Sequence, residues 1–204
     1  MGFYGKCKGC GKSFLRSDGH KFYCSDDCRT NFCLVFDLKS SIAVVPDFPK
    51  KGIMFRDITT MLKDPKYFGM CITDMVDCLK KYDFDTIVGI ESRGFIFASV
   101  LAHKFKVGLV LARKPGKLPR ETESQSFSLE YGKDAIEIHK SDVEGRRVVI
   151  IDDVLATGGT IEAVCKVIEK CDGKVESILT LVELVELNGK KKFKKYVYDS
   201  LVKV

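Results

Sequence analysis

The sequence predicts an α/β protein: a mostly parallel sheet flanked by helices, with a long flexible loop and a small cysteine-rich module in front. Three observations carry this. Val148 to Ile151 is an unbroken β-branched run, the pattern of a strand covered on both faces. Strand-like and helix-like segments alternate from Tyr67 onward, the rhythm of βαβ units with right-handed crossovers. Residues 1–36 are rich in Cys, Lys and Gly and poor in aliphatics, so they cannot bury a core unaided. Two domains are therefore expected, residues 1–36 and 37–204.

In chain order, Tyr67 to Lys81 reads as a helix because Phe68, Cys71, Ile72, Met75, Val76 and Leu79 fall on one face. Thr86 to Ile90 is a short apolar strand that ends in Glu91-Ser92-Arg93-Gly94. A helix over Phe95 to Phe105 and a strand over Val107 to Leu111 follow. Arg113 to Ser126 mixes Pro, Gly, Lys, Thr and Ser with no apolar period, so it is expected to be a long mobile loop of the kind that covers active sites. Ala135 to His139 alternates as a strand. The β-branched run, a helix over Thr160 to about Lys170 and a strand over Val175 to Leu184 complete the pattern.

Composition narrows the class. The chain has 204 residues and 45% hydrophobic content, ordinary for a globular protein. No apolar run approaches the roughly 20 residues a membrane helix needs, so no membrane partner is expected. The first residues, MGFYGKCKGC, lack the apolar core of a secretory signal. With nine cysteines, an odd number, the chain points to a reducing, cytoplasmic setting with free or metal-bound thiols. The net charge of +6 suits an anionic substrate without requiring nucleic acid.

Cys7-x2-Cys10 and Cys24-x3-Cys28 have the spacing of two chelating pairs, and four thiolates complete a tetrahedron around structural Zn²⁺. His20 and Cys33 could replace one ligand. Such a site has no open position for catalysis. The run KKKFKK, Lys190 to Lys195, reads as a solvated charged face.

The chemistry concentrates in VVIIDDVLATGGT, Val148 to Thr160. Asp152 and Asp153 follow the strand at the sheet edge where α/β proteins bind ligands. Ala156, Thr157, Gly158, Gly159 and Thr160 offer small side chains and backbone N–H groups at a helix start, a cradle for a phosphate monoester. Carboxylates beside it can hold sugar hydroxyls or hydrated Mg²⁺.

This motif resembles the phosphoribosyl-diphosphate (PRPP) signature of the type I phosphoribosyltransferases. With PDFPKKGIMFRDIT, GIESRGF, LARKPGKLP and SFSLEYGKDAIEIHK in this order, the chain from about Leu38 onward resembles the adenine phosphoribosyltransferase family. The resemblance implies that family's fold, transfer of the 5-phosphoribosyl group of PRPP to adenine with release of pyrophosphate, Mg²⁺ with PRPP, and a homodimer. It also implies site roles: Glu130, Arg93, Asp152 and Asp153 in catalysis, with a cis peptide between Glu91 and Ser92. Ser92, Arg113, Lys114, Lys117 and Tyr131 would contact PRPP or AMP beside the Ala156 to Thr160 cradle. Ile53, Phe55, Arg56 and Leu184 would hold adenine. Two other readings remain: a PRPP-sensing regulator whose zinc module contacts nucleic acid or protein, and an enzyme for another purine.

Overall fold

The computed structural model describes residues 4–6, 13–15, 38–129 and 132–204. The ligand candidates Cys7, Cys10, Cys24, Cys28, His20 and Cys33, and the site candidates Glu130 and Tyr131, lie outside these residues. The chain divides into two compact units, Met1–Tyr67 and Phe68–Val204.

The first unit holds two antiparallel pairs. β1 (Tyr4–Lys6) pairs with β2 (Ser13–Leu15), and β3 (Ala43–Pro46) with β4 (Met54–Asp57). In the turn between β3 and β4, Asp47 Oδ1 accepts the Gly52 N–H at 2.7 Å. The Phe48 ring meets Phe55 edge-on at 5.1 Å. Helix α1 (Thr59–Leu62) follows, with Thr60 Oγ1 donating to the Ser41 carbonyl at 2.7 Å.

The second unit is built on helix α2 (Pro65–Leu79), β5 (Thr86–Ile90), α3 (Gly94–Phe105), β6 (Gly108–Ala112), β7 (Thr122–Leu129), β8 (Gly132–His139), α4 (Lys140–Val143), β9 (Arg147–Leu155), α5 (Gly159–Lys170), β10 (Lys174–Glu183) and β11 (Tyr198–Lys203). Five strands form one sheet in the order β11-β10-β9-β5-β6, every neighbouring pair parallel. From β5 the chain winds to β6 on one side, then returns to β9 on the other. The direction of winding reverses between β5 and β9, and ligands of open α/β sheets bind at such a switch point, outside the strands' carboxyl ends.

The apolar runs explain the layers. Val88, Ile90, Val148, Ile150 and Ile178 join a buried cluster with Ile161, Val164, Cys165 and Ile168 of α5. In α2, Cys71, Ile72, Met75 and Leu79 are buried, as the 3.6-residue period requires. Phe97 of α3 is fully buried, with its ring 6.3 Å from Phe68.

Two expectations are corrected. The segment expected as one loop to Ser126 is a strand from Thr122, paired residue for residue with β8 from Thr122↔His139 to Leu129↔Gly132. Its sequence, TESQSFSL, hides the strand because this two-stranded ribbon buries its apolar side chains mostly from β8, where Ile136 and Ile138 are buried. The irregular segment thus shortens to residues 113–121. The second correction concerns the aspartates. Asp152 and Asp153 lie inside β9, which runs on to Leu155. Pairing with β5 stops at Gly89↔Ile151, whereas pairing with β10 continues to Leu155↔Glu183. The strand ends on one side and not on the other, and the carboxylates begin where β5 departs.

Candidate active site

β9 delivers Asp152 and Asp153 to the gap that opens beside β5, and both are buried. Asp152 Oδ1 accepts the backbone N–H of Asp153 at 2.9 Å. Across the gap, Arg93 sits at the N-terminus of α3, and its Nε lies 2.7 Å from Asp153 Oδ2. That oxygen receives no aligned hydrogen bond from the described residues, so the contact is one of charge rather than a directed bond. Gly94 lets the helix come this close. A Cβ there would stand 2.8 Å from the Ile151 carbonyl oxygen and 3.1 Å from Asp152 Oδ1.

Burial, and then the neighbouring Asp153 charge, push the Asp152 carboxyl well above the usual carboxylate range, with Arg93 pulling weakly the other way. Burial likewise raises Asp153, with the Arg93 guanidinium as the main opposing influence. Desolvation and like charge both disfavour two full negative charges here, and donor groups of a ligand would offset that cost.

Ala156 to Thr160 leads from β9 into α5. Gly158 caps the helix at φ 79°, the left-handed region, and supplies no side-chain cap. The first N–H groups of α5 thus have no side-chain acceptor at the cap. Gly189 seats the loop from behind: a Cβ on it would stand 2.2 Å from the Ala156 carbonyl oxygen and 2.9 Å from the Gly158 nitrogen. Leu184 follows β10 at the same sheet edge, its N–H donating to the Leu155 carbonyl at 2.9 Å.

The basic cluster folds onto acids. The Glu91–Ser92 peptide is cis. Just before it, the Glu91 carboxylate receives Lys117 Nζ, Arg113 Nε at 3.3 Å and the Lys114 N–H at 3.1 Å. Partial burial pushes the Glu91 carboxyl up, but these hydrogen bonds outweigh it and hold the group below its ordinary value. Lys114 Nζ pairs with Asp134 Oδ2 at 2.9 Å. Buried Glu137 of β8 accepts the Lys117 N–H at 3.3 Å, and its backbone bridges Arg113. The 113–117 segment is held by acids on β8 and at the end of β5.

The structure therefore gathers Ser92, Arg93, Asp152, Asp153 and the Ala156 to Thr160 loop around one switch point, with Leu184 at the same sheet edge. It ties Arg113, Lys114 and Lys117 to Glu91, next to Ser92. Ile53, Phe55 and Arg56 stand on β4 and the turn before it in the first unit, Ile53 exposed and Phe55 half-buried. Sequence reasoning assigned no role to the Glu91 carboxylate, Glu137 or Gly189. Glu91 carried a signal, an acid beside Arg93 directly after a buried strand. Gly189 did as well, a lone glycine ahead of a lysine run. Glu137 carried none, because its partner lies 20 residues away. Among the described residues no group of three or more His, Cys, Asp or Glu could hold a metal ion.

Residues 62–204 match the phosphoribosyl transferase domain family. The chain is 52% identical over 168 residues to the adenine phosphoribosyltransferase of Thermoanaerobacter pseudethanolicus, covering 82% of this chain and 97% of that protein. The crystal structure of that bacterial enzyme superposes with a TM-score of 0.80 at 51% identity, covering 82% of this chain and 98% of that one. The Saccharomyces cerevisiae adenine phosphoribosyltransferase, crystallised with adenine and an imino-altritol bisphosphate, superposes at 0.76 with 34% identity, covering 81% of this chain and 96% of that one.

The raised carboxyls have a stability consequence. Groups whose folded pKa lies above the unfolded value are proton acceptors on folding, so their cost appears as pH rises past the ordinary carboxylate range. Asp152→Asn keeps the shape and the acceptor for Asp153 N–H but removes one charge. It is expected to raise Tm at pH 7 by a few degrees (about 2–4 °C per kcal/mol at this size), with the gain shrinking towards pH 4. Thermal melts at both pH values check this; an unchanged or lowered Tm at pH 7 contradicts it.

Proposed function

Because the chain belongs to the phosphoribosyl transferase family, and within it to the adenine phosphoribosyltransferases, we propose that the crevice between β5 and β9 is where it joins adenine to PRPP. The reaction transfers the 5-phosphoribosyl group to N9 of adenine and yields AMP and pyrophosphate. The observation that carries the placement is the buried Asp152–Asp153 pair facing Arg93, one turn before an uncapped helix start.

Each residue then has a task set by its chemistry. Ala156 to Thr160 holds the 5-phosphate through backbone N–H groups and the Thr157 and Thr160 hydroxyls. Asp152 and Asp153 accept hydrogen bonds from the 2- and 3-hydroxyls, donors that offset their desolvation. As the bond to diphosphate breaks, positive charge develops on the sugar, and the paired acids below it favour that state over the ground state. Ser92 and Arg93 hold the departing diphosphate. Arg113, Lys114 and Lys117 supply further cationic charge to it, and for Arg113 and Lys117 that means leaving Glu91. By their motifs, Ile53, Phe55, Arg56 and Leu184 contact adenine. Glu130 serves as proton donor or charge partner at adenine N7, and Tyr131 closes over the ligand.

Phosphoribosyltransferases generally use Mg²⁺ with PRPP. The donor set here fits that use: two carboxylates, too few for an all-protein cage, suit an ion held chiefly by diphosphate oxygens and water. Asp152 and Asp153 would hold the hydrated ion, which would supply positive charge against the leaving diphosphate. The N-terminal module is assigned structural Zn²⁺ on Cys7, Cys10, Cys24 and Cys28. The active form is assigned as a homodimer in the cytoplasm, and no described helix is long and apolar enough to cross a membrane.

The double variant Asp152→Asn/Asp153→Asn is expected to lose at least a hundredfold in turnover of adenine and PRPP while keeping its circular dichroism spectrum. Retained activity removes the pair from sugar binding. For the module, a chelator added to the unfolding protein is expected to release about one zinc per chain; none released overturns that assignment.

A further inference from the structure

The lysine run ahead of β11 is more than a solvated face. Phe193 within it is buried, and the segment from Lys190 to Tyr196 forms one wall of an open cavity of about 500 Å³ whose other wall is β11 and the end of β10. That volume lies within the roughly 300–1,000 Å³ of small-molecule sites.

The lining has three chemical parts. Lys190, Lys191 and Lys194 supply cationic charge. The half-buried Tyr198 ring supplies an aromatic wall, backed edge-on by the buried Phe193 ring at 5.6 Å. Tyr198 is fixed there by its hydroxyl, 2.9 Å from Thr180 Oγ1. Glu183 supplies a carboxylate that is only 2% exposed. Its Oε2 accepts the Ser200 hydroxyl at 3.2 Å. Lys190 Nζ stands 3.8 Å from Oε1, a charge contact beyond hydrogen-bond length. A carboxylate offers about four acceptor positions, so capacity remains for a donor inside the cavity. The second acid of the lining, Asp199, is engaged from outside by Lys81 at 3.0 Å.

Cations at the rim, an aromatic wall and an acceptor at the base together select a ligand that is anionic at one end, planar, and a hydrogen-bond donor at the other. We infer that this cavity is a second binding site, for a nucleoside phosphate whose base carries an exocyclic amine: phosphates on the lysines, ring against Tyr198, amine on Glu183. The site is distinct from the crevice between β5 and β9 and uses none of the residues assigned to the transfer reaction.

The test is a calorimetric titration of the full chain with ATP after saturation with PRPP and Mg²⁺ in the absence of free base, so that the crevice is already filled. PRPP binding is measured first, so a failure of the crevice assignment is seen separately. One further equivalent of ATP per chain is expected. Lys191→Glu/Lys194→Glu should weaken it at least tenfold while turnover of adenine stays at the wild-type level, which also reports correct folding. Inosine triphosphate, with a carbonyl in place of the amine, should bind at least tenfold more weakly, and inorganic triphosphate weaker still. No second equivalent, indifference to charge reversal, or equal binding of inorganic triphosphate or inosine triphosphate would each overturn the inference.

Discussion

Two carboxylates buried side by side are costly, and the rest of the second unit is arranged around that cost. Asp152 and Asp153 leave water because β9 continues along β10 after β5 has departed. Backbone N–H groups and the Arg93 guanidinium beside Asp153 offset only part of their burial. Both carboxyls are pushed up as a result. Stability is surrendered at the point where a sugar with two hydroxyls and a developing positive charge would restore it, the usual relation between strain and function in a site.

The neighbouring loops are held by contacts that leave little slack. Gly189 and Gly158 meet so closely that neither position has room for a Cβ. The cradle after β9 is thereby fixed from behind by the segment that also walls the lysine-lined cavity. The basic segment after β6 is held differently, by acids. Glu91 and Glu137 collect its donors from two sides, and a diphosphate would compete for the same cations. A tightly packed loop after β9 and a cation cluster held by exchangeable acids suit the proposed reaction, in which the sugar phosphate stays and the diphosphate leaves.

How far the sequence foretold this varies with the kind of signal. The unbroken run of Val148 to Ile151 marked the central strand because burial on both faces forbids polar residues there. Helix α2 announced itself through its single apolar face. The strand from Thr122 stayed hidden because a two-stranded ribbon takes its burial from its partner, leaving TESQSFSL with no period to read. For the site, the aspartates and the small-residue loop were legible as chemistry, since few other functions need those residues in that order. Glu137 was not, because its partner becomes a neighbour only when β8 folds back alongside the segment after β6. The lysine run was read as solvated, and its lysines are exposed; the cavity behind it depends on Phe193 turning inward, which charge patterning alone does not reveal.

The central claim is that one switch point grips a phosphoribosyl group, phosphate in the loop and hydroxyls on the paired acids. The most direct measurement is a crystal structure of the protein soaked with AMP. The phosphate is expected within hydrogen-bond distance of the backbone N–H groups of Ala156 to Thr160, and the ribose hydroxyls on Asp152 and Asp153. A nucleotide absent from that crevice, or bound there with its ribose turned away from both aspartates, would contradict it.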